Sequence, residues 1–444
     1  MSGGVDSSVA AALLKDRGYD VIGAHIKCFN IDGCGERDAE DARRVAEQLK
    51  IPFYVFDLEK EYKERVVRYM IDGYRKGITP NPDIMCNKEI KFGLFFQRAL
   101  QLGTDFVATG HYVKLKELTP QRVVFSRIGV APTPVPGPFG AGIPASEAGL
   151  GTVGARLLLG RKTEHSGVRA EYSDQSFSAS ESFSQTLPAA ESNSGVNINA
   201  IFGLFEAKDK NKDQSYFLWT LTQEQLKHCV FPIGDYKKNA VRKLAKKFDL
   251  LTADKKDSQG ICFIGKVTLA DFLKDYISPK KGVVLNAAGE KIGTHQGAQF
   301  YTIGQRHGFN LNNSKITDYG LRIKKNISPH YVVSKNIKEN VLVVAEGSDN
   351  NALYKKEMEL VNINFINPNY SQILKNLRIS VLVRVRYRQP LFSATLTHAD
   401  FTQTNAEKNG VRVIFDEPQK FVASGQSAVF YDQSGQMLGG GVIL

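Results

Sequence analysis

The 444-residue sequence has few cysteines and no long apolar segment. Its five cysteines are an odd number spread along the chain, which does not fit the disulfide framework of a small secreted protein. No apolar run approaches the ~18 residues that a membrane span requires, and no charged segment precedes an apolar signal sequence. These absences predict a soluble, cytoplasmic protein with no membrane partner, with an organelle as the alternative location.

Positive charge is in excess over negative charge. The formal net charge is +12, and basic residues cluster in segments such as KKNAVRKLAKK and RVRYR. This balance is typical of proteins that bind a polyanion through phosphate contacts, although solvated basic surfaces are the alternative interpretation. Arg384, Arg386 and Arg388 alternate along RVRYR, which predicts that they share one face of a strand where they could contact phosphate.

Helical and strand-like segments alternate over the first 116 residues. Asp6 to Lys15 fits a helix that ends near Gly18, and the segments DVIGAHI and PFYVFDL fit buried strands. This alternation predicts an α/β fold with a doubly wound parallel sheet. The ligand site of such a sheet lies at the carboxyl ends of its strands.

The composition and the pattern of predicted elements change along the rest of the chain, which predicts three domains. Residues from about 121 to 199 are rich in Pro, Gly, Ser and Ala, which predicts an inserted disordered loop within a first domain of residues 1–265. A small central domain of mixed structure is predicted over 266–334. Short alternating strands, beginning with ENVLVVAEG, predict a C-terminal antiparallel β-barrel over 335–444.

The first residues form a glycine- and serine-rich segment before the first predicted helix: Ser2, Gly3, Gly4, Val5, Asp6, Ser7 and Ser8. Glycines let backbone N–H groups approach a phosphate, Ser hydroxyls add donors, and the start of a helix favours an anion. The segment resembles the SGGxDS PP-loop of enzymes that cleave ATP to AMP and pyrophosphate. An ordinary strand-to-helix turn is the alternative.

Two cysteines lie in polar surroundings. Cys86 is within NPDIMCNKEIKF and Cys262 within DSQGICFIG. Such loop positions favour a reactive thiol, while spacing alone leaves a structural role equally open. Cys28 and Cys34 have a spacing that is weak for zinc and are interpreted as incidental thiols, and Cys229 as a packing residue.

Six motifs occur in the order NPDIMCNKEIKF, ATGHY, KDQSYFL, DSQGICFIG, YTIGQRHG and RVRYRQ. Together they resemble the tRNA-specific 2-thiouridylase (MnmA) family, and they cover nearly all of the chain except residues 121–199. The resemblance implies that ATP adenylates the C2 oxygen of the wobble uridine in tRNA. A persulfide sulfur then replaces this oxygen, and AMP and pyrophosphate are released.

The resemblance also implies roles for individual residues. Cys86 would be the nucleophile and Cys262 the persulfide carrier, and the two would form a disulfide after sulfur transfer. Asp83 could assist proton transfer or act only as a hydrogen-bond acceptor. ATP would contact Ser2 to Ser8, Gly110, and Ile26 at a position where the family commonly has Met. The implied tRNA contacts are Asn81, Pro82, Asp83, Lys212, Asp213, Gln214, Ser215, Arg386 and Tyr387.

Further expectations concern supporting residues and partners. Tyr216, Phe217 and Tyr387 could stack on bases, and His111 could orient the site or simply bond to backbone. Mg²⁺ is expected with ATP, without confidently assigned protein ligands. An iron–sulfur cluster on Cys86 and Cys262 is the less favoured alternative. The implied partners are tRNA and a cysteine desulfurase or sulfur-relay protein, with the chain as a monomer.

The family places a hydrophobic strand directly before its SGGVDSS motif, whereas here Met1 occupies the last position of that strand. We therefore expect the first strand of the sheet to be missing beside the loop. Two other functions stay open from the sequence: a tRNA-binding homologue that has lost catalysis, and another PP-loop synthetase.

Overall fold

A computed structural model describes residues 1–29, 31, 33–118, 200–257, 267–312, 328–399 and 410–444. The predicted insertion, from about 121 to 199, and Cys262 lie outside these residues, as does the side chain of Cys34. Within these ranges, no helix is long and apolar enough to cross a bilayer.

The N-terminal part has the predicted alternation of strands and helices. Its strands are β1 (Gly23–Lys27), β2 (Phe53–Asp57), β3 (Val107–Ala108), β4 (Val113–Leu118), β5 (Ile201–Glu206) and β6 (Cys229–Val230). Its α-helices are α1 (Val5–Asp16), α2 (Cys34–Gln48), α3 (Glu59–Tyr62), α4 (Arg68–Arg75), α5 (Pro82–Met85), α6 (Phe96–Gln101), α7 (Gln223–Leu226) and α8 (Lys238–Lys247). Lys63–Val67 and Cys86–Phe95 are π-helical, and Ser215–Phe217 forms a 3₁₀ turn. The pairs β1–β2 and β3–β6 are parallel, which confirms the predicted α/β class.

Helix α1 forms because its sequence is rich in Ala and Leu and is polar mainly at its ends. Val9 and Leu13 are buried against Val241 and Ala245 of α8, so helix–helix packing holds α1 in place. This packing also fixes the loop of residues 2–8, whose last four residues belong to the start of α1.

The central part is a five-stranded sheet in the order β10-β11-β7-β8-β9. The strands are β7 (Gly282–Leu285), β8 (Lys291–His295), β9 (Asn310–Leu311), β10 (His330–Asn336) and β11 (Val341–Glu346), preceded by α9 (Leu269–Lys274). The segment ENVLVVAEG therefore belongs to this sheet, where β11 pairs with β7, and not to the barrel as expected. The predicted boundary at 334 falls inside β10. Alternating apolar residues identify a half-buried strand but not the sheet that it joins.

The C-terminal part is a closed antiparallel barrel, as predicted. Its strands are β12 (Tyr354–Phe365), β13 (Ile379–Arg384), β14 (Phe392–Ala399), β15 (Gly410–Lys420), β16 (Ser427–Tyr431) and β17 (Gln436–Ile443), with α10 (Asn369–Asn376) between β12 and β13. The ring runs β12-β15-β14-β13-β16-β17 and closes through β12–β17. The antiparallel pair β4–β5 of the N-terminal part extends this sheet at β17, so the two parts share backbone hydrogen bonds.

A buried ion cluster joins the same two parts. Arg384, at the end of β13, donates to Glu206 (2.9 Å) and to Asp213 (3.0 Å). Ser215 donates to Asp213 (2.8 Å) and shares a hydrogen bond with Tyr431 on β16 (2.8 Å). The side chains of Arg384, Glu206 and Asp213 are at most 9% exposed. Removing one partner of such a cluster leaves an uncompensated buried charge.

We expect Arg384→Met to destabilise the protein by about 3–5 kcal/mol because it leaves the buried carboxylate of Asp213 without its cation and Glu206 with Lys210 alone. The matched control is Arg412→Met on β15, whose side chain is 46% exposed and pairs with Glu359. It should destabilise the protein far less, because solvent screens an exposed ion pair. Denaturant unfolding can be followed through Trp219, the single tryptophan, which is buried against Gly440 of β17. Equal losses of unfolding free energy in Arg384→Met and Arg412→Met would contradict a special role for the buried cluster.

Candidate active site

The loop of residues 2–8 is a compact turn at the start of α1. The Ser2 backbone N–H donates to Ser7 Oγ (3.0 Å), and the Ser7 and Ser8 hydroxyls donate to the Gly4 carbonyl (3.2 and 2.9 Å). Gly3 has a φ of +69°, and a Cβ there would lie 2.2 Å from the carbonyl oxygen of Asp38. Gly4, at the N-cap, supplies no side-chain acceptor to the first turn. The loop therefore has the form of an anion site.

Gly110 packs directly on this loop. A Cβ at Gly110 would lie 2.7 Å from Ser7 N and 2.8 Å from Asp6 C. Gly110 follows the carboxyl end of β3, which is where the parallel topology predicts a ligand. Ile26, on β1, packs instead with the apolar cluster around Leu58 and Tyr62.

A network of charges surrounds Asp6. Its carboxylate accepts from Lys238 Nζ (2.8 Å to both oxygens) and from the Tyr112 hydroxyl (2.7 Å). Lys238 also pairs with Asp257 (2.9 Å), which in turn binds Lys212 (2.6 Å). Burial alone would raise the pKa of Asp257, but hydrogen bonds from Lys212 and Lys238 lower it to about 2.

A second lysine, which is distant in the sequence, also contacts the loop. Lys255 Nζ donates to the Gly3 carbonyl (3.0 Å), to Asp38 (2.8 Å) and to Asp41 (2.5 Å). Sequence reasoning missed Lys238 and Lys255 as residues of this site. The basic segment KKNAVRKLAKK was a signal for Lys238, but contacts that span more than 200 residues have no local pattern.

Cys86 begins the π-helical stretch that continues α5. Asn81 caps α5 by accepting from the Ile84 N–H (3.2 Å), and Pro82 occupies the first turn. Cys86 is buried, with 7% exposure. Burial raises the pKa of Asp83, and the charge of Lys91 opposes this rise. Stretches of π-helix are rare and are frequent at functional sites.

Asn87, next to Cys86, is a residue that the sequence analysis missed, although it lies within the motif NPDIMCNKEIKF. Its Nδ2 donates to the Phe217 carbonyl (3.1 Å), while its buried Oδ1 has no hydrogen-bond partner among the described residues. His111 is also buried and pairs with the Thr109 hydroxyl (2.8 Å). Burial and the charge of Lys91 lower the pKa of His111 well below its ordinary value, so its ring is neutral.

Three aromatic residues expected to stack on bases lie together near Asn81. Phe217 and Tyr387 have ring centroids 4.4 Å apart, and Tyr216 lies 5.4 Å from Phe217. The Tyr216 hydroxyl donates to the Ser427 carbonyl (2.9 Å) and lies near the Asn81 side chain.

The three arginines of RVRYR do not share one face, contrary to expectation. Arg384 points into the ion cluster, and Arg386 donates to the carbonyls of Phe421 (3.1 Å) and Ile303 (2.5 Å). Strand β13 ends at Arg384, and Arg388 has a φ of +64°, so strand alternation does not continue through the segment. Arg388 lies over the Tyr387 ring, 5.1 Å from its centroid.

The predicted tRNA loop of residues 212–215 is tied into the protein. The side chains of Asp213 and Ser215 are buried in the ion cluster. Gln214 accepts from the Tyr112 N–H (3.0 Å), and Lys212 pairs with Asp257. These contacts link the loop to both the barrel and the network around Asp6.

The other cysteines differ from Cys86 in their surroundings. Cys229 is buried in β6, and burial raises its pKa to about 12, as suits a packing residue. Cys28 is half-buried. Within the described part of the chain, no group of three His, Cys, Asp or Glu residues could hold a metal ion.

The pKa of Asp257 makes its contribution to stability depend on pH. Because folding lowers this pKa from 3.8 to about 2, the contribution is complete above about pH 4 and is lost as the pH falls towards 2. The difference in unfolding free energy between wild type and Asp257→Asn should therefore be constant at neutral pH and shrink below about pH 4. Denaturant titrations at several pH values measure it. Asp254→Asn is the control, since that carboxylate is 86% exposed; a difference for Asp257→Asn that grows in acid would contradict the network.

The chain resembles known proteins along its whole length. The chain matches the models for the tRNA methyl transferase HUP domain (residues 1–128 and 190–266), the tRNA methyl transferase PRC-barrel domain (270–346) and the aminomethyltransferase beta-barrel domain (355–443). It is 36% identical to tRNA-specific 2-thiouridylase MnmA of Bacillus cytotoxicus, with 100% of this chain and 93% of the relative covered. It is 34% identical to the protein of the same name from Christiangramia forsetii, with 100% and 98% covered. The chain therefore belongs to the tRNA-specific 2-thiouridylase (MnmA) family.

Proposed function

We propose that this protein is a tRNA-uridine 2-sulfurtransferase, which uses ATP and a persulfide to replace the C2 oxygen of the wobble uridine with sulfur. Family membership over the whole chain supports the reaction. The observation that carries it is the position of Cys86, buried at the start of a π-helical stretch that directly follows the segment capped by Asn81, with the neighbouring Asn87 bonded to the Phe217 carbonyl.

The first step activates the uridine. The C2 oxygen attacks the α-phosphorus of ATP, an O–P bond forms, and pyrophosphate leaves with the electrons of the broken P–O bond. The N–H groups in the first turn of α1, which Gly4 leaves without a side-chain acceptor, would bind the phosphates. Lys238 and Lys255, now paired with carboxylates beside the loop, are the cations that an incoming triphosphate would attract.

Mg²⁺ would offset the charge of the triphosphate. Asp6 is the one carboxylate within residues 2–8, and its side chain is 32% exposed. A single hard oxygen ligand of this kind fits Mg²⁺, which is usually held by one or two carboxylates together with substrate phosphates and water. Binding would require Asp6 to give up part of its contact with Lys238.

The second step delivers sulfur. In the proposal, a cysteine desulfurase or a sulfur-relay protein loads Cys262 with a terminal sulfur. The Cys86 thiolate attacks the Cys262 Sγ, the S–S bond of the persulfide breaks, and hydrosulfide leaves with its electron pair. Hydrosulfide attacks C2 of the adenylated uridine, AMP leaves with the original oxygen, and a Cys86–Cys262 disulfide is left. A thiol reductant returns both cysteines to their starting state.

Asp83 and the aromatic cluster complete the proposal. A carboxyl whose pKa burial raises can hold a proton near neutral pH more readily than an exposed one, which suits proton transfer one helical turn from Cys86. The target base must leave its stack to reach Cys86, and Tyr387 with Phe217 offers rings for flanking bases. We propose that residues 1–265 carry this chemistry and that the barrel, through Arg386 and Tyr387, contacts tRNA.

We expect the purified protein to form 2-thiouridine in tRNA when supplied with ATP, Mg²⁺, cysteine and a cysteine desulfurase, with mass spectrometry of the nucleosides as the readout. Cys86→Ser should reduce the rate by about 100-fold or more because the attacking sulfur is removed. Cys28→Ser is the matched control and should keep the wild-type rate.

Three outcomes would count against this mechanism or against the function itself. Thiolation by Cys86→Ser at the wild-type rate would exclude Cys86 as nucleophile. Iron bound after anaerobic purification, with visible absorbance that Cys86→Ser removes, would favour cluster chemistry instead. Binding of tRNA without any thiolation by the wild type would indicate a homologue that has lost catalysis.

We also expect Gly110→Ala to weaken ATP binding by about 10-fold or more, since the added Cβ collides with the backbone of the loop. Isothermal titration calorimetry with ATP and Mg²⁺ measures this. Gly18→Ala is the control: it has a φ of +82° but no atom within 4 Å of the added Cβ, so it should affect stability only. Unchanged affinity in Gly110→Ala would place the nucleotide elsewhere.

A further inference from the structure

All three parts of the protein meet at Thr79, which is buried between α4 and α5. Its N–H donates to the Ser424 carbonyl (2.8 Å), and its carbonyl accepts from Gln426 Nε2 (2.8 Å). Its hydroxyl donates to Thr302 Oγ1 of the central part (3.2 Å). Every polar group of Thr79 is thus bound by a residue more than 200 positions away in the sequence.

The barrel segment Ser424–Gly425–Gln426, called here the barrel turn, approaches Thr79 at backbone distance. Gly425 has a φ of +88°, and a Cβ there would lie 2.9–3.0 Å from the N, C and O atoms of Thr79. On the other side, a Cβ at Gly73 would lie 2.8 Å from the Pro80 ring. Close backbone contact on both sides leaves residues 79 and 80 little freedom to shift.

This contact is close to the reactive cysteine along the chain. Asn81, two residues after Thr79, caps the helix that carries Asp83 and leads into Cys86. The residue that follows the barrel turn, Ser427, accepts from the Tyr216 hydroxyl, which lies near the Asn81 side chain. The same stretch of barrel therefore holds the cap of the catalytic helix directly through Thr79 and indirectly through Tyr216.

We propose that Gln426 is a positioning residue for sulfur transfer, acting through the Thr79 carbonyl on the segment that orients Asn81, Asp83 and Cys86. This inference rests on the proposed function. The barrel then has two roles: it contacts tRNA, and it sets the position of the catalytic helix. A displacement of about 1 Å in a reacting group can cost about 100-fold in rate, so one well-placed hydrogen bond can control turnover.

The test uses the full chain with Gln426→Ala and Gln426→Glu. The first removes the donor, and the second keeps the shape but places a carboxylate against the Thr79 carbonyl. We expect kcat for thiolation to fall about 10- to 100-fold in both, with KM for tRNA and Kd for ATP within about 3-fold of wild type. Gln436→Ala on β17 is the matched control, since its side chain is similarly half-buried and makes no hydrogen bond to the segment at Thr79.

A second readout separates positioning from a general loss of structure. The rate at which iodoacetamide alkylates Cys86, followed on the Cys86 peptide by mass spectrometry, should change several-fold in Gln426→Ala and stay constant in Gln436→Ala. Thr302→Val removes another contact of Thr79 and should change the same rate in the same direction.

The outcomes distinguish failure of the positioning role of Gln426 from failure of the proposed function. If wild type thiolates tRNA and Gln426→Ala retains its kcat and alkylation rate, the positioning role is wrong and the proposed function stands. If Gln426→Ala loses activity together with its thermal stability, and Gln436→Ala does the same, the role is also wrong. If wild type does not thiolate tRNA, the proposed function itself fails.

Discussion

The architecture depends on the buried cluster in which Arg384 binds Glu206 and Asp213. Each of these charges would be costly to bury alone, and together they satisfy one another only when the N-terminal part docks on the barrel. The neighbouring pair β4–β5 adds main-chain hydrogen bonds to β17, so the docking has both a polar and a backbone component. The loop of residues 212–215 takes its position from this cluster.

The loop at the start of α1 is surrounded by ion pairs. Lys238 pairs with Asp6 and Asp257, and Lys255 pairs with Asp38 and Asp41. A triphosphate entering this region competes for cations that already have partners. Under the proposed function, nucleotide binding would therefore be coupled to Asp257, and through Lys212 to the loop that leads into the ion cluster.

The segment before Cys86 is held by a different kind of contact. Thr79 is bound through its backbone and hydroxyl, Gly425 lets the barrel backbone approach it closely, and Gly73 does the same for the neighbouring Pro80 ring. These contacts are uncharged hydrogen bonds and close packing, and they bring the C-terminal part of the chain to the start of the helix that carries Cys86. The aromatic cluster around Tyr216 extends the same junction towards the barrel.

The sequence by itself determined the local features. The Ala- and Leu-rich pattern predicted α1, alternation predicted the barrel strands, and the ordered motifs identified the family and the candidate residues Cys86, Asn81 and Gly110. Periodicity could not assign β11 to its sheet, because a half-buried strand has the same pattern in either sheet. The expected common face for Arg384, Arg386 and Arg388 failed because β13 ends at Arg384. Only the tertiary structure brought Lys238 and Lys255 to the loop and Gln426 to Thr79, because contacts between residues hundreds of positions apart depend on how the domains pack and have no local signal.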